Sequence, residues 1–193
     1  DGSSGAMTAN LGHCNEEITV RIKEQLDLLT FTYRTQFTNE PLEELSGKIA
    51  KFAPGSLNHV AFVNSGSEAT EMAMKLAKSY WNIKGKQSKK RIISSWCGYH
   101  GSTMGALSMT GNPGRRREYS EYLADYPLLE PAHCHHCPYE KEYPDCNLLC
   151  ARQLEKMICR FGADTISAVI FEPIIGASGA GIMPPPGYFE EIR

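Results

Sequence analysis

Apolar residues recur at helical spacing in four segments of the chain. The i, i+3, i+4, i+7 pattern predicts amphipathic helices, and Pro41 suits a first turn, whereas Pro54, Gly55 and Gly162 suit helix ends. The small alanines of the third helix would let it pack closely on a sheet, so we expect its Met and Tyr residues in the core. The four apolar faces are Ile18, Ile22, Leu26 and Leu29; Leu42, Leu45, Ile49 and Phe52; Ala69, Met72, Ala73, Leu76, Ala77 and Tyr80; and Ala151, Leu154, Ile158 and Phe161.

Shorter apolar runs lie between these helices and predict strands. Residues 60–63, 91–95 and 166–171 alternate with the helical segments, an order typical of a parallel or mostly parallel sheet with right-handed crossovers. We expect a short helix after Gly101. The stretch from Gly111 to Pro144 is rich in Gly, Pro and Tyr and predicts a long loop, which in a compact domain is usually functional or mobile.

Candidate chemistry begins where the first apolar run ends. Ser65, Gly66, Ser67 and Glu68 open the third helix, where backbone N–H groups without helical partners and the helix dipole favour an anion such as phosphate. Ser65 and Glu68 also have the spacing of a capping box, in which two side chains satisfy those donors without a ligand. Both interpretations stay open from the pattern alone.

Two further segments offer ligand-binding side chains at the ends of predicted strands. Tyr99 and His100 follow residues 91–95 and are flanked by glycines, which allow a ligand to approach a flat ring closely. Glu172 ends the strand at residues 166–171, and the carboxyl ends of parallel strands are where ligands bind. The alternatives are a core Tyr, an ordinary half-buried His and a solvent-facing strand end.

These three segments, in this order, resemble the class III aminotransferases, the omega-amino-acid type of pyridoxal-phosphate (PLP) enzyme with fold type I. The resemblance covers nearly the whole chain and implies an α/β fold, part of the large domain, with a mostly parallel sheet flanked by helices. It implies that Gly66 and Ser67 contact the cofactor phosphate, with Ser65 better suited to the cap, and that Tyr99 stacks on the cofactor ring beside His100. Glu172 would lie on the substrate side of the cofactor.

The resemblance also implies a domain division and a reaction. Residues 1–38 would form an N-terminal segment and helix near the small domain and dimer interface. Residues 39–193 would form the first part of the PLP-binding domain, with a Cys/His-rich insertion at residues 111–147. The parent enzyme, a homodimer, would transfer an amino group from an amine or omega-amino acid to a 2-oxo acid.

The family's Schiff-base lysine and the Asp beside the pyridine nitrogen have no match in this sequence. We therefore expect an internal fragment from the N-terminal half of the parent enzyme, inactive by itself. Two alternatives remain: another fold type I PLP reaction, such as that of a phospholyase, racemase, aminomutase or decarboxylase, or a noncatalytic, zinc-stapled interaction domain.

Composition narrows the function classes. The 193 residues are 41% hydrophobic and 22% charged, with a net charge of −2, which fits a globular domain and gives no reason to expect nucleic acid or an anionic membrane as partner. The run Arg115–Arg117 is most simply a solvated loop. No apolar run approaches the roughly 20 residues that cross a bilayer. Seven cysteines, an odd number, favour a reducing compartment, the cytoplasm or an organelle matrix.

Four of these cysteines lie close together in the predicted insertion. Cys134 and Cys137 are followed by Cys146 and Cys150, a spacing similar to that of structural zinc sites. The alternative is that the thiols pack as small hydrophobic groups. The family has no general metal role to decide between them.

Overall fold

The chain divides into two units, Asp1–Phe62 and Val63–Arg193, in the computed structural model, which describes residues 2 and 4–193. Asp1 and Ser3, the first residues of the predicted N-terminal segment, lie outside the described residues. The second predicted helix belongs to the first of these units. The division that the resemblance implies, at residues 38/39, stays a prediction.

The first unit is helical. It contains α1 (Ser4–Met7), α2 (Glu16–Leu28) and α3 (Glu40–Phe52). The side chain of Asn15 accepts a hydrogen bond from the backbone N–H of Ile18, and that of Asn39 accepts one from Leu42, so both longer helices begin at an Asn cap. The predicted periodicity of α2 and α3 is confirmed, although neither helix has a buried residue.

The second unit contains a three-stranded sheet. Its strands are β1 (Arg91–Ser95), β2 (Leu128–Leu129) and β3 (Ile166–Val169), in the order β2-β1-β3, and both pairs are parallel. The predicted parallel α/β arrangement is confirmed. Residues 60–63, predicted as a strand, form none. Conversely, β2 lies in the stretch predicted as a loop. It was missed because a two-residue strand is too short to show a periodic pattern.

Five α-helices and three short 3-10 helices accompany this sheet in the second unit. The α-helices are α4 (Gly66–Ile83), α5 (Met104–Met109), α6 (Pro113–Arg116), α7 (Leu149–Phe161) and α8 (Tyr188–Ile192). The expected core stripe of α4 is wrong, since Leu76 and Tyr80 are 60% and 54% exposed. The helix is fixed to the sheet instead by the indole N–H of Trp81, which donates to the carbonyl of Ser167 in β3 at 2.7 Å.

The core of the second unit forms around the central strand. Ile93 of β1 is fully buried and packs with Leu129, Leu154 and Ile166, which come from the two outer strands and α7. Apolar burial of this kind contributes about 25 cal/mol per Å², so this cluster stabilises the packing of α7 on the sheet. Among the described residues, no helix has the length and apolarity to cross a membrane.

Candidate active site

The start of α4 is a capping box. The hydroxyl of Ser65 accepts a hydrogen bond from the backbone N–H of Glu68 at 3.2 Å, and the Glu68 carboxylate accepts one from the backbone N–H of Asn64 at 2.7 Å. Both side chains therefore satisfy backbone donors at the helix start. The capping interpretation of Ser65 and Glu68 is confirmed.

The cap leaves two donors at the first turn. Among residues 2 and 4–193, no acceptor pairs with the backbone N–H of Gly66 or Ser67. A Cβ placed on Gly66 would meet nothing within 4 Å, so the space beside this turn is open. Unpaired N–H groups at the positive end of an 18-residue helix suit an anionic group such as phosphate.

The loop that carries Tyr99 lies directly against this turn. The backbone N–H of Ser102 donates to the hydroxyl of Ser67 at 3.0 Å. Gly101 has a φ of +134°, and a Cβ there would stand 2.6 Å from the Ser67 hydroxyl and 2.8 Å from the Cβ of Ala106. Only glycine fits this position, so the close approach of the two segments depends on Gly101.

Tyr99 is held through its backbone as well as its ring. Its N–H donates to one oxygen of the Glu172 carboxylate at 2.6 Å, and the guanidinium of Arg115 lies over its ring, 4.7 Å from the centroid. A cation over an aromatic face is attracted by the ring quadrupole. Arg115 thus lies next to the candidate site. Its position in a run of basic residues did not indicate this contact.

Arg116 is also more than a solvated residue. One terminal nitrogen of its guanidinium lies 3.1, 3.0 and 2.7 Å from the carbonyl oxygens of Leu107, Ser108 and Thr110, so its two N–H groups are shared among three acceptors. These carbonyls lie at the C-terminal end of α5, where the last carbonyls of a helix lack some of their helical partners. Arg115 and Arg116 lie in α6 rather than in a loop. Arg115 and Arg117 are exposed as expected, whereas Arg116 is half-buried, so the expectation of a solvated side chain is wrong for Arg116.

Glu172 connects two loops at the end of β3. One carboxylate oxygen binds the N–H of Tyr99, and the other accepts a hydrogen bond from the N–H of Gly176 at 3.0 Å. The bridge between Ile175 and Ile182 follows this loop. The carboxylate is half-buried and is paired with backbone donors, so the structure gives Glu172 a positioning role whatever it does toward a substrate.

His100 lies between these contacts with one ring nitrogen unused. Its backbone N–H donates to the Thr110 hydroxyl at 2.9 Å, whereas its Nε2 is buried and has no hydrogen-bond partner among the described residues. Burial lowers the pKa of His100, and the charge of Glu172 acts in the opposite direction with smaller effect. The imidazole is therefore neutral at pH 7, with a buried polar atom open to a ligand or water.

The four cysteines considered as zinc ligands also lie near one another, and Cys150 packs against the hydrophobic cluster of Ala132, Ala151 and Tyr188. Cys134, Cys137, Cys146 and Cys150 line one cavity beside His133, and all four are free thiols. Within residues 2 and 4–193, no group of three or more His, Cys, Asp or Glu side chains could hold a metal ion.

Comparison with known proteins identifies the family. The sequence model of the class III aminotransferases matches residues 1–193. The chain belongs to the class III aminotransferase family. It is 46% identical to the uncharacterized aminotransferase YodT of Bacillus subtilis (strain 168) over 192 residues, which are 100% of this chain and 43% of that protein. It is 32% identical over 194 residues to the omega-amino acid–pyruvate aminotransferase of Pseudomonas putida, with the same coverage.

Solved structures of aminotransferases show the same fold. An amine transaminase from an uncultivated Pseudomonas species, in its PLP-bound form, superimposes with a TM-score of 0.90 at 34% identity, over 100% of this chain and 44% of that one. The chain thus spans less than half the length of the relatives that it matches. This likeness confirms the predicted fold type I large-domain architecture.

Proposed function

We propose that this chain provides the phosphate-binding side of a PLP site in an enzyme that transfers an amino group from an amine or omega-amino acid to a 2-oxo acid. The observation that supports this most is the hydrogen bond between Ser102 and Ser67. It joins the helix start that has unpaired N–H groups to the loop that carries Tyr99. Family membership supports amino transfer as the reaction.

The residues present fit the cofactor. The N–H groups of Gly66 and Ser67, together with the Ser67 hydroxyl, would bind the phosphate, because the hydroxyl accepts from Ser102 and keeps its own proton to donate. Tyr99 would orient the pyridine ring, and the neutral His100 would complete that wall. When bound, PLP supplies an electron sink for the charge that develops beside the amino-bearing carbon.

Glu172 and Arg115 would then act through Tyr99. Glu172 fixes the backbone of Tyr99 and Arg115 covers a face of its ring, so both limit the orientations that the aromatic side chain can take. None of the lysines in this chain lies in a context resembling the family's cofactor-attachment site, and we expect the chain to be inactive by itself. The amino donor is not fixed by any residue described above.

Assembly and location complete the proposal. We expect a homodimer in the cytoplasm or an organelle matrix, with an amino donor and a 2-oxo acid as its small-molecule partners and without nucleic-acid or membrane partners. Sedimentation of the full-length protein would test the dimer, because a cofactor-loaded monomer contradicts it.

The reaction is tested on the full-length protein that contains this chain. It should absorb visible light after incubation with PLP. An omega-amino acid should abolish this absorption, and pyruvate or 2-oxoglutarate should restore it. A full-length protein that stays colourless with PLP would overturn the proposal.

The role of Ser67 is tested by binding of pyridoxamine phosphate, which forms no bond to a lysine. Ser67→Ala removes a hydrogen bond to a charged group, worth about 1.5–3 kcal/mol, and should raise the dissociation constant by about 10-fold to 150-fold. Ser79→Ala, the same change at an exposed position of α4, is the control and should leave the constant unchanged. Equal affinity in both variants would place the phosphate elsewhere.

A further inference from the structure

Side chains from three separate elements of the second unit hold the backbone of residues 99–102. Glu172 and Ser67 bind two of its N–H groups, as described above. The third side chain is that of Thr110, the residue that follows α5. Its hydroxyl accepts a hydrogen bond from the N–H of His100 at 2.9 Å. Thr110 therefore supports this loop from the end of α5.

The Thr110 hydroxyl contacts the loop at two points. Besides accepting from His100, it lies 3.2 Å from the carbonyl oxygens of Gly101 and Ala106, which share its single proton. Donation to Ala106, four residues earlier, is the usual contact of a threonine at a helix end, and this carbonyl also accepts from the N–H of Thr110 at 3.1 Å. The helix does not account for the bonds to His100 and Gly101, which lie ten and nine residues earlier. The hydroxyl therefore serves the loop as well as the helix.

These contacts hold the peptide groups on both sides of the Cα of Tyr99. Because a peptide group is planar, a hydrogen bond to its N–H limits the orientation of the whole plane. The plane before this Cα contains the N–H of Tyr99, which Glu172 binds, and the plane after it contains the N–H of His100, which Thr110 binds. With both planes held, the φ and ψ angles of Tyr99 are limited, and so is the direction in which its ring leaves the backbone. Thr110 thus controls that direction as directly as Glu172 does.

Thr110 is itself fixed to the sheet. It is fully buried, and the carbonyl of Met109, the preceding residue, accepts a hydrogen bond from the hydroxyl of Ser94 in β1 at 2.6 Å. The carbonyl of Thr110 lies 2.7 Å from the guanidinium nitrogen of Arg116. A side chain whose own backbone is held in this way can hold a binding loop in one position, because packing and hydrogen bonds limit its movement.

We infer that Thr110 is a positioning residue of the PLP site, whose hydroxyl sets the orientation of the Tyr99 ring by holding the peptide group between Tyr99 and His100. This role rests on the proposed function, in which that ring orients the pyridine of PLP. Because Thr110 is fully buried, it acts through the loop. Displacement of a binding group by about 1 Å is enough to weaken a site strongly, so loss of this hydroxyl should weaken ligand binding although every group proposed to contact the cofactor is retained.

Two substitutions at Thr110 in the full-length protein test this role through binding of pyridoxamine phosphate. Thr110→Val keeps the shape of the side chain without its hydroxyl, so the N–H of His100 and the carbonyl of Gly101 lose this partner. The dissociation constant should then rise by about 10-fold or more. Thr110→Ser keeps the hydroxyl and should bind within about 3-fold of the unsubstituted protein.

The matched control is Thr165→Val. The Thr165 hydroxyl is half-buried and lies 2.8 and 3.0 Å from two carbonyl oxygens at the end of α7, so its loss removes a similar contact away from the loop and should leave the affinity unchanged. Equal affinity in Thr110→Val and the unsubstituted protein, or an equal loss in both valine variants, would overturn the role of Thr110 alone. An unsubstituted protein that does not bind pyridoxamine phosphate would overturn the proposed function as well.

Hydrogen exchange of the unsubstituted full-length protein avoids any effect of a substitution on folding. The N–H of His100 is bound to a fully buried hydroxyl, so the peptide that contains it should be protected. Pyridoxamine phosphate at about ten times its dissociation constant should slow this exchange by about 10-fold, because the ligand binds only the ordered loop. A peptide from the end of α7 should exchange at the same rate with and without the ligand. Exchange at His100 that the bound ligand does not slow would refute the role of Thr110.

Discussion

Replacing Glu172 by Gln distinguishes a positioning residue from a catalytic one. The Glu172 carboxylate accepts hydrogen bonds from the backbone N–H groups of Tyr99 and Gly176, at 2.6 and 3.0 Å. Gln retains one accepting oxygen, and its NH₂ group can only donate. One of the two amide N–H groups would therefore lose its acceptor and face another donor.

The expected cost follows from these two contacts. A hydrogen bond to a charged acceptor contributes about 1.5–3 kcal/mol, and a donor left unsatisfied costs about 1–3 kcal/mol. Because the side chain is half-buried, water offsets part of this loss. We expect about 2 kcal/mol of local destabilisation, which is a factor of about 30 in the opening equilibrium of the two loops.

Hydrogen exchange measured by mass spectrometry is the assay, because it reports local opening. Peptides that contain the N–H groups of Tyr99 and Gly176 should exchange about 30-fold faster in Glu172→Gln. Glu155→Gln, at an exposed position of α7, should leave both peptides unchanged. Both measurements use the full-length protein that contains this chain. Unchanged exchange in Glu172→Gln together with lost turnover would refute the reasoning, since the carboxylate would then act on the substrate.

Three further perturbations test the surroundings of the site by urea unfolding. Gly111→Ala should lower the free energy of unfolding by about 3 kcal/mol or more, because its Cβ would stand 2.0 Å from a backbone carbonyl oxygen of β1. The control is Gly114→Ala, where the nearest atom is a side-chain oxygen at 3.3 Å, and it should change this free energy by less than about 0.5 kcal/mol. Equal effects of the two substitutions would contradict the close packing at Gly111. Ser65→Ala should cost about 1 kcal/mol through the lost cap, and an unchanged free energy of unfolding would show that the cap is dispensable. Burial lowers the pKa of His100 below 6.5, so the unfolded chain binds a proton at this residue at a higher pH than the folded chain does. The contribution of His100 to stability should therefore be complete above about pH 7 and decrease below pH 6.5. His100→Gln should reduce this pH dependence of the free energy of unfolding, and an identical pH profile would contradict the assignment.

Local patterns predicted the elements that present the site. Arg91–Ser95 is the central strand, α7 ends at Gly162 as expected, and α4 begins at Gly66. Each of these has a signal within a few residues, such as a β-branched run, a glycine stop or a cap. The contact between Ser67 and Ser102 could not be predicted in this way, because it depends on how two distant segments meet.

Errors occurred where tertiary structure overrides a local pattern. Leu76 and Tyr80 have core-like spacing but are exposed, because the spacing of a helix shows which face is apolar and not what covers it. Arg116 lies in a run of like charges, which favours solvent, yet it is half-buried and pairs with backbone carbonyls near the end of α5. Two glycines could have indicated these tertiary contacts. Gly101 and Gly111 both occupy positions where a Cβ would clash, and such glycines indicate that another segment of the chain approaches closely.

The capping box and the anion-binding turn at the start of α4 are compatible, although the sequence presents them as alternatives. An α-helix begins with four N–H groups that lack helical acceptors. In α4 the side chain of Ser65 accepts from the N–H of Glu68, whereas the N–H groups of Gly66 and Ser67 stay without an acceptor in the described structure. The cap therefore holds the helix start in place and leaves the outermost donors for a ligand. Loss of the Ser65 cap should reduce ligand affinity only as far as it frays the turn, whereas loss of the Ser67 hydroxyl should reduce affinity directly.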